Sequence, residues 1–306
     1  MSEVAILMAT FNGEKFLAEQ LASIKAQSFK NWKIFISDDG STDATLDIIQ
    51  SFKDKCDTDQ VRVFHGPQSG FARNFISLVK NKDINADFFA FCDQDDIWCE
   101  RRLHGGLEKL TCNAPSIPLL YCSRTNIMKS NGNCVAESKM IRRPPSFGNA
   151  IVQNIGGGNT MLFNQKTRSL LCQLRLSDDL VSHDWLTYII VSGVGGRVFW
   201  DHKCTVNYRQ HNGNLVGANM SIAAMLRRFC NLLRGQLGVW RRANLQALAP
   251  LETIFLPKNR EIITLIQAID SKPFLKRLKI MSRSKIYRQS HLETAALWIA
   301  VILNKF

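Results

Sequence analysis

Short apolar segments alternate with amphipathic segments along the N-terminal third of the chain. The apolar segments are five to seven residues long and predict strands at residues 4–10, 32–37, 61–66 and 88–92. In the segments between them, apolar residues recur every three or four positions, which predicts helices over residues 14–27, 43–53 and 70–81. This alternation predicts an α/β domain with a mostly parallel central sheet flanked by helices.

The pattern becomes less regular after residue 110. Residues 119–128 predict another strand, and residues 154–164 predict a glycine-rich loop that enters a short apolar strand. This loop lacks the Lys-Ser/Thr ending of a Walker loop, which argues against that phosphate-binding motif. Residues 183–196 predict a helix that ends on glycines, and a strand and a loop are expected after it.

The net charge of +13 is concentrated at the C-terminal end of the 306-residue chain. Residues 1–219 contain 24 Lys and Arg against 22 Asp and Glu, whereas residues 220–306 contain 15 against 4. The shift predicts a near-neutral α/β domain over residues 1–219 and a basic helical extension over residues 220–306. A uniformly basic protein would suggest nucleic acid as a partner, but a basic tail on a near-neutral body predicts a surface-docking element.

The segment near residues 221–245 is amphipathic on a helical wheel. Its basic side carries Arg227, Arg228, Arg234, Arg241 and Arg242, and its apolar side carries Ile222, Met225, Phe229, Leu232, Leu233 and Trp240. A second basic stretch spans residues 272–288. We expect peripheral contact with an anionic membrane through this C-terminal region. Two alternatives remain: the segment packs on the α/β domain with its arginines in water, or it forms a homo-oligomer contact.

The cysteines and the N-terminus predict a cytosolic protein, and the membrane contact expected of the basic C-terminal region would place it at the inner face of the plasma membrane. Nine cysteines are scattered without a CxxC pair, and the first predicted strand begins without a preceding secretory segment. We therefore expect reduced thiols. No apolar run approaches the roughly 20 residues that a membrane-spanning helix requires.

Polar residues follow three of the predicted strands at the point where each strand ends. They form the clusters at residues 10–12, 38–39 and 93–96. Because the carboxyl ends of parallel strands meet at one edge of a sheet, where ligands bind, we expect these clusters to lie together. The carboxylates of Asp93 and Asp95 suit Mg²⁺ or Mn²⁺, with phosphate oxygens and water completing the coordination. A solvated turn is the alternative for any one cluster, but three clusters on one edge favour a ligand site.

Several segments in this order resemble family 2 glycosyltransferases of the GT-A fold. They are ATFNG, DDGSTD, SGFARNF and DQDDIW, followed by SHDW and YRQHNGN. The last two are most similar to the rhamnosyltransferase-like branch that builds bacterial surface polysaccharides. The resemblance covers roughly residues 4–217. It implies a GT-A nucleotide-sugar-binding domain over residues 1–219 and an enzyme that uses Mn²⁺ or Mg²⁺.

The resemblance also implies a role for each matching residue of the donor site. Phe11 would lie near the base, flanked by Thr10 and Glu14, and Asp39 would accept a hydrogen bond from the N3–H of uracil or thymine. Arg73 would approach the diphosphate or the sugar, Asp93 the ribose, and Asp95 would hold the metal. Phe11 departs from the more usual tyrosine, which removes a hydroxyl but keeps a stacking face. GGGNT replaces the segment expected at the acceptor loop.

Two further candidates lie downstream. Asp184 matches the position at which such enzymes keep the general base that deprotonates the acceptor hydroxyl. Its alternative role is that of a carboxylate in the first turn of a helix. His211 is a candidate third metal ligand or diphosphate contact, because imidazole suits Mn²⁺. A solvated histidine in a polar loop is its alternative.

The resemblance therefore implies an inverting sugar transfer from a nucleotide-sugar donor, dTDP-rhamnose or a UDP-hexose, to a saccharide acceptor that is lipid-linked. Two other functions remain as alternatives. A metal-dependent phosphatase or phosphotransferase also uses aspartates after a strand, but haloacid dehalogenases place them after the first strand, which here ends in TFNG. The second alternative is a non-enzymatic membrane- or polyanion-binding scaffold with an inactive transferase-like domain.

Overall fold

The computed structural model describes residues 2–176, 179–211 and 234–306. They fall into two compact units, each described by itself. The first comprises Met1–Met140, Gly156–Cys172 and Arg197–Gly217, and the second comprises Ile141–Ile155, Gln173–Gly196 and Ala218–Phe306. The second unit thus includes two segments that precede residue 219, where the sequence predicts the domain boundary. That boundary stays a prediction.

The first unit is built on a sheet that has nine strands in the described residues. The strands are β1 (Val4–Thr10), β2 (Trp32–Asp38), β3 (Val61–His65), β4 (Phe88–Cys92), β5 (Ile97–Trp98), β6 (Leu119–Lys129), β7 (Cys134–Glu137), β8 (Leu162–Asn164) and β9 (Arg197–Gln210). Their order is β3-β2-β1-β4-β8-β6-β9-β5, with β7 paired to β6. The strands predicted at residues 4–10, 32–37, 61–66, 88–92 and 119–128 are confirmed within one or two residues.

Eleven α-helices accompany the sheet in the part of the chain that the structure describes. Those of the first unit are α1 (Leu17–Lys25), α2 (Thr45–Lys53), α3 (Phe71–Lys80), α4 (Arg102–Thr111) and α6 (Gln165–Leu171). Those of the second unit are α5 (Phe147–Ala150), α7 (His183–Gly193), α8 (Gln236–Leu248), α9 (Pro257–Ala268), α10 (Phe274–Ser284) and α11 (His291–Ile302). The predicted α/β architecture and the helical C-terminal region are confirmed.

The parallel half of the sheet places three strand ends at the same edge. Strands β1, β2, β3 and β4 are parallel neighbours, with Thr10 opposite Asp38 and Met8 opposite Cys92. The β4 residues are all buried and β1 is nearly so, because helices cover both faces of a parallel sheet. Hence the polar residues after Thr10, Asp38 and Cys92 emerge together at the carboxyl edge.

The other half of the sheet brings in residues that are distant in sequence. Strand β8 runs antiparallel between β4 and β6, and β9 pairs in parallel with β6 along its whole length. The short β5 pairs antiparallel with the end of β9, so that Ile97 lies opposite Asn207. The residues that end β9 therefore lie beside the turn between β4 and β5.

The predicted amphipathic wheel near residues 221–245 is wrong for Arg241. Residues 212–233, which include the N-terminal part of that segment, lie outside the described residues. Gly235 has a left-handed φ of 83° and caps the N-terminus of α8, so this helix begins at Gln236. Arg241 is buried, where its guanidinium donates to the Ile266 carbonyl oxygen at 2.7 Å and pairs with Asp270. Trp240, on the apolar side of the wheel, is 40% exposed.

No helix among the described residues is both long enough and apolar enough to cross a lipid bilayer.

Candidate functional site

Hydrogen bonds join the loops at the carboxyl edge of the sheet in the first unit. The first loop, after β1, contacts the second loop through Asn12, whose N–H donates to the Ser41 Oγ at 2.8 Å. The Asn12 Oδ1 atom accepts from the Thr42 N–H at 2.9 Å. Asn12 adopts a positive φ of 47°, a conformation that asparagine tolerates better than most residues. These two hydrogen bonds connect the first loop to the second.

The two residues of the Asp38–Asp39 pair have different surroundings. Asp38 is buried and accepts hydrogen bonds from the Thr10 hydroxyl at 2.8 Å and the Ser41 N–H at 2.8 Å. These bonds terminate β2 and shape the turn that follows it. The predicted donor-site residue Thr10 is itself buried, and its hydroxyl is already engaged. A direct contact between Thr10 and a nucleotide stays a prediction.

The carboxylate of Asp39 points to the loop between β3 and α3. Its Oδ1 accepts from the Gln68 N–H at 2.7 Å, and its Oδ2 accepts from the Gly70 N–H at 2.9 Å. Each carboxylate oxygen has a second lone pair, so both remain able to accept another donor. Arg73 follows in the first turn of α3, where it is half-buried. The roles predicted for Asp39 and Arg73 toward a nucleotide sugar stay predictions.

Phe11 is held by its backbone rather than by its side chain. Its N–H donates to the Gln94 Oε1 at 2.9 Å, and its carbonyl oxygen accepts from the Gln94 Nε2 at 2.9 Å. The ring is 55% exposed, so a flat face is accessible for stacking. Glu14 is exposed and its Oε2 accepts from the Ala44 N–H at 3.1 Å, close to the start of α2. Stacking of a base on Phe11, flanked by Glu14, stays a prediction.

Gly66 allows Asp39 to approach the β3 strand end. A Cβ at this position would lie 2.7 Å from the Asp39 Oδ1 and 2.9 Å from the backbone oxygen of Asp38. We expect Gly66→Ala to displace Asp39, to lower the free energy of unfolding by about 1–3 kcal/mol and to weaken nucleotide binding about tenfold. Urea unfolding and calorimetric titration with UDP and dTDP measure the two effects.

Gly105→Ala provides the matched control for this change. Gly105 lies inside α4, and its added Cβ would have no atom within 4 Å. Alanine also favours the helix, so the free energy of unfolding is expected to stay equal or to rise by up to about 1 kcal/mol. Unaltered nucleotide affinity in Gly66→Ala would contradict the importance of the Asp39 position.

Asp95 and His211 form the centre of the candidate metal site. The His211 Nε2 lies 2.8 Å from the Asp95 Oδ2, and both side chains are about four-fifths buried, with 20% and 18% of their surfaces exposed. The His211 ring also lies against Phe16, with ring centroids 5.0 Å apart. Asp93 lies two residues before Asp95 in the same turn and is partly exposed. The structure thus brings His211 to the aspartate turn although 116 positions separate it from Asp95.

A carboxylate oxygen and an imidazole nitrogen in contact are a donor set that fits Mn²⁺. In residues 2–176, 179–211 and 234–306, no three His, Cys, Asp or Glu side chains converge on a point that could hold a metal ion. A diphosphate and water could fill coordination positions of a divalent ion that Asp95 and His211 leave open, as they often do for Mg²⁺ in nucleotide sites. The residues present fit the expected metal, and its binding stays a prediction.

Asp96 directly follows Asp95 in the turn after β4 and is completely buried. Its Oδ2 accepts from the Asn159 Nδ2 at 2.5 Å, and its Oδ1 accepts from the Arg209 N–H at 3.1 Å. Burial is the largest cause that raises the pKa of Asp96 to about 7, and the neighbouring Asp95 carboxylate adds to it. Asp96 thereby connects the β4–β5 turn, the glycine-rich loop and the end of β9.

Arg209, the penultimate residue of β9, connects the end of that strand to the aspartate turn and to α1. Its Nε donates to the Asp95 carbonyl oxygen at 3.0 Å, and its Nη2 pairs with Glu19 at 2.7 Å. The guanidinium carbon lies 4.4 Å from the centroid of the Phe16 ring, within the range of a cation–π contact. Arg209 is buried and precedes His211 by only two residues, so these contacts also fix the position of the His211 backbone.

Asp184 belongs to the second unit, whereas the other predicted site residues belong to the first. It lies in the first turn of α7, which Ser182 caps by accepting from the Trp185 N–H at 3.4 Å. The Asp184 Oδ1 also accepts from the Trp185 N–H, at 2.6 Å. This geometry is that of a first-turn carboxylate, and it leaves the second oxygen of Asp184 outside this contact. The role of general base stays a prediction.

His183, next to Asp184, is a buried histidine whose neutral state makes the stability of the protein depend on pH. Burial lowers the pKa of His183 to about 3, compared with 6.5 in an unfolded chain. The unfolded state therefore binds more protons between those values, and the free energy of unfolding falls as the pH decreases from 6.5 toward 3. The slope from this residue is at most about 1.4 kcal/mol per pH unit.

We expect His183→Gln to remove that part of the acid sensitivity. Urea unfolding at several pH values between 6.5 and 4 would show a flatter profile for the variant than for the unmodified protein. His202→Gln, at an exposed position of β9, is the control and should retain the original slope. Identical profiles for the His183 variant and the unmodified protein would be incompatible with a buried neutral His183.

Four residues of this region carry no predicted role: Gln94, Asp96, Asn159 and Arg209. Gln94 and Asp96 lie within the polar cluster after β4, and membership of that cluster is the sequence feature that could have identified them as site residues. Asn159 and Arg209 carry only weak signals, namely the glycine-rich loop and the position two residues before His211. All four position other groups, through contacts that span 63 to 114 residues of sequence.

Comparisons with known proteins identify the family and the fold of the chain. Glycosyl transferase family 2 matches residues 5–160. The chain is 31% identical over 257 residues to the dTDP-rhamnosyl transferase RfbG of Shigella flexneri, covering 79% of this chain and 83% of that protein. It is 27% identical over 161 residues to the UDP-Glc:alpha-D-GlcNAc-diphosphoundecaprenol beta-1,3-glucosyltransferase WfgD of Escherichia coli, covering 51% and 57% respectively.

Two solved structures share the fold. S. aureus TarS 1-349 in complex with UDP-GlcNAc superposes with a TM-score of 0.55 at 16% identity, covering 99% of this chain and 89% of that one. The mannosyltransferase PcManGT from Pyrobaculum calidifontis, in complex with GDP-Man and Mn²⁺, gives 0.54 at 13% identity, covering 99% and 84%. The GT-A fold predicted from the sequence is confirmed. On the family match and the similarity to RfbG, the chain belongs to glycosyl transferase family 2.

Proposed function

We propose that the chain transfers a sugar from a nucleoside diphosphate donor to a hydroxyl group of a saccharide acceptor, with inversion at the anomeric carbon. The observation that supports this most is the contact of Asp95 with His211 at the same sheet edge as Phe11 and Asp39. That edge offers a stacking face, a free lone pair for an N3–H group and a donor set for a divalent ion. A nucleotide sugar presents a base, an N3–H group and a diphosphate that can use these three features together.

The donor is proposed to be dTDP-rhamnose, with UDP-hexoses as the second choice. The similarity to RfbG of Shigella flexneri, named as a dTDP-rhamnosyl transferase, supports the first. Uracil and thymine both present an N3–H to an acceptor such as Asp39, so this residue admits either base. Phe11 stacks on the base, with Thr10 and Glu14 on either side, Arg73 approaches the diphosphate and Asp93 contacts the ribose.

Asp95 and His211 are proposed to hold Mn²⁺ or Mg²⁺. When bound, such an ion offsets the negative charge that grows on the diphosphate as it leaves. The buried Asp96 and Arg209 keep Asp95 and His211 in position, so little reorganisation is needed when the donor arrives. That TarS and PcManGT were solved with nucleotide sugars, the latter with Mn²⁺, is consistent with this assignment.

Asp184 is proposed as the general base. Its carboxylate accepts the proton of the acceptor hydroxyl while that oxygen forms a bond to the anomeric carbon. The bond between the anomeric carbon and the diphosphate oxygen breaks on the opposite side, and the nucleoside diphosphate leaves with the bonding electron pair. A positioned base of this kind contributes about 10²–10⁴-fold to the rate.

The acceptor is proposed to be a lipid-linked saccharide in the biosynthesis of a bacterial surface polysaccharide. The relative WfgD is named for a sugar carried on diphosphoundecaprenol. An enzyme that uses such an acceptor works at the cytoplasmic face of the plasma membrane. The excess of positive charge in residues 220–306 supports peripheral association with anionic lipid there.

A panel of nucleotide sugars tests the proposed donor. With Mn²⁺ present, dTDP-rhamnose at 100 times its Kd should raise the unfolding free energy by about 2.7 kcal/mol, which differential scanning fluorimetry detects as a higher Tm. GDP-mannose and ADP-glucose serve as controls with other bases. If no uracil or thymine nucleotide sugar shifts the Tm, the proposed donor class is wrong.

A further inference from the structure

The adjoining ends of two C-terminal helices expose a group of large apolar side chains in the second unit. They are Phe274 and Leu275 at the start of α10, and Ile299, Ile302 and Leu303 at the end of α11. Leu275 is 75% exposed and Leu303 is 51% exposed. Single exposed leucines are common on protein surfaces, whereas five large apolar side chains at one place indicate an interaction site. We call this set the α10–α11 face.

A hydrogen bond shows that the two helix ends are neighbours. The Arg277 Nη2 atom, in the first turn of α10, donates to the carbonyl oxygen of Ile302 at 3.2 Å. A connection of only six residues joins the C-terminus of α10 to the N-terminus of α11, so the helices form an antiparallel hairpin. Ile299, Ile302 and Leu303 are spaced by three and four positions and therefore share one side of α11.

The surroundings of the α10–α11 face are strongly basic. Between Lys272 and Lys285 the chain has six basic residues and no acidic residue. Lys272, Lys276 and Lys279 are exposed, and none of them forms an ion pair with a carboxylate of the described residues. Arg283 at the far end of α10 is instead paired with Glu261 of α9 at 2.9 Å. Lys285 at the C-cap of α10 is also exposed, but Lys272 and Lys276 carry their charge at the end of α10 that also holds Phe274 and Leu275.

We propose that the α10–α11 face docks on the surface of an anionic lipid bilayer. The apolar side chains enter the boundary between headgroups and acyl chains, and the lysines contact the anionic headgroups. Contact with a second copy of the chain would bring two basic faces together, which costs electrostatic energy. The inference deepens the membrane association included in the proposed function, because it assigns that contact to particular residues outside the segment near 221–245.

Sedimentation with lipid vesicles tests this surface. The full chain should pellet with phosphatidylcholine vesicles that contain phosphatidylglycerol, and much less with phosphatidylcholine alone. Lys276→Glu/Lys279→Glu should lower the partition coefficient at least about tenfold, because each basic residue near the membrane adds to the attraction. Leu275→Ser/Leu303→Ser should lower it by about tenfold without a change of charge.

Lys82→Glu/Lys166→Glu is the matched control, since it makes the same charge change at two exposed positions of the first unit. It should retain the partition coefficient of the unmodified protein within about twofold. Thermal unfolding of every variant checks that the fold is kept. An equal loss in the control, or unchanged partitioning of the two face variants, would overturn the proposal, because net charge or another segment would then account for binding.

The same variants separate this inference from the proposed transfer reaction. Transfer to a water-soluble saccharide acceptor should be unchanged in the face variants. If nucleotide sugars fail to bind but vesicle binding still depends on the face, the docking inference stands and the proposed reaction fails. If the unmodified protein ignores anionic vesicles and instead forms a dimer that the face variants abolish, a second copy covers the face and the docking inference is overturned.

Discussion

Replacing Asp95 with alanine is expected to lower kcat for sugar transfer about 10³-fold. The Asp95 Oδ2 lies 2.8 Å from the His211 Nε2, and the two are the donors proposed for the divalent ion. Loss of the carboxylate weakens the binding of the ion that offsets the charge on the leaving diphosphate, an effect of several kcal/mol on the activation free energy. A 10³-fold lower kcat corresponds to about 4 kcal/mol. Rates of nucleoside diphosphate release with a soluble acceptor measure the change.

The metal dependence of this effect can be tested directly. A chelator should reduce the activity of the unmodified protein to a similar level but should cause little further loss in Asp95→Ala, since both changes remove the same interaction. Asp83→Ala, at an exposed turn position, is the control and should keep full activity. Activity that persists in Asp95→Ala would refute the assignment of the metal site.

Replacing Asp184 with asparagine is expected to lower kcat by about 10²–10⁴-fold while the affinity for the donor stays unchanged. Asparagine retains an oxygen that accepts from the Trp185 N–H, so the start of α7 should keep its hydrogen bond. It cannot accept a proton at neutral pH, and the acceptor hydroxyl must then attack without a base. Steady-state kinetics with a soluble acceptor and calorimetric binding of the donor measure the two quantities.

The structural alternative for Asp184 makes a different prediction. A carboxylate that only stabilises the first turn of α7 would change the unfolding free energy by about 0.3–1 kcal/mol and leave kcat unaffected. As general base, Asp184 should also produce the acidic limb of the pH profile of kcat, which the asparagine variant would lack. Asp179→Asn, an exposed carboxylate before the same helix, is the control for the loss of one charge.

The spacing of apolar and polar residues along the chain was sufficient to predict several strands and helices. The all-apolar segment FFAFC became the fully buried β4, and the amphipathic segment at residues 70–81 became α3, because the spacing of apolar residues records which side chains a strand or a helix can bury. The same reasoning was wrong for Arg241. Helix α8 begins only after the left-handed Gly235, and the partner of Arg241 is Asp270, 29 residues away. A helical wheel contains neither fact.

The candidate site shows the same division. Clusters that follow β1, β2 and β4 were sufficient to predict that Phe11, Asp39 and Asp95 share one sheet edge, because parallel strands point the same way. Which aspartate of the DQDD turn is buried could not be derived from the sequence. Asp96 turns inward because Asn159 and the N–H of Arg209 meet it there, and Asp95 is left to face His211.

By itself the sequence determined the α/β alternation, the polar carboxyl edge, the basic C-terminal region and the family. All four depend on local composition or on short motifs, which residue spacing records directly. Only the tertiary structure decided that His211 reaches Asp95, that Gln94 holds Phe11, and that α10 and α11 expose apolar side chains beside lysines. These contacts depend on the order of strands in the sheet and on helix packing, which bring together positions that no periodicity along the chain relates.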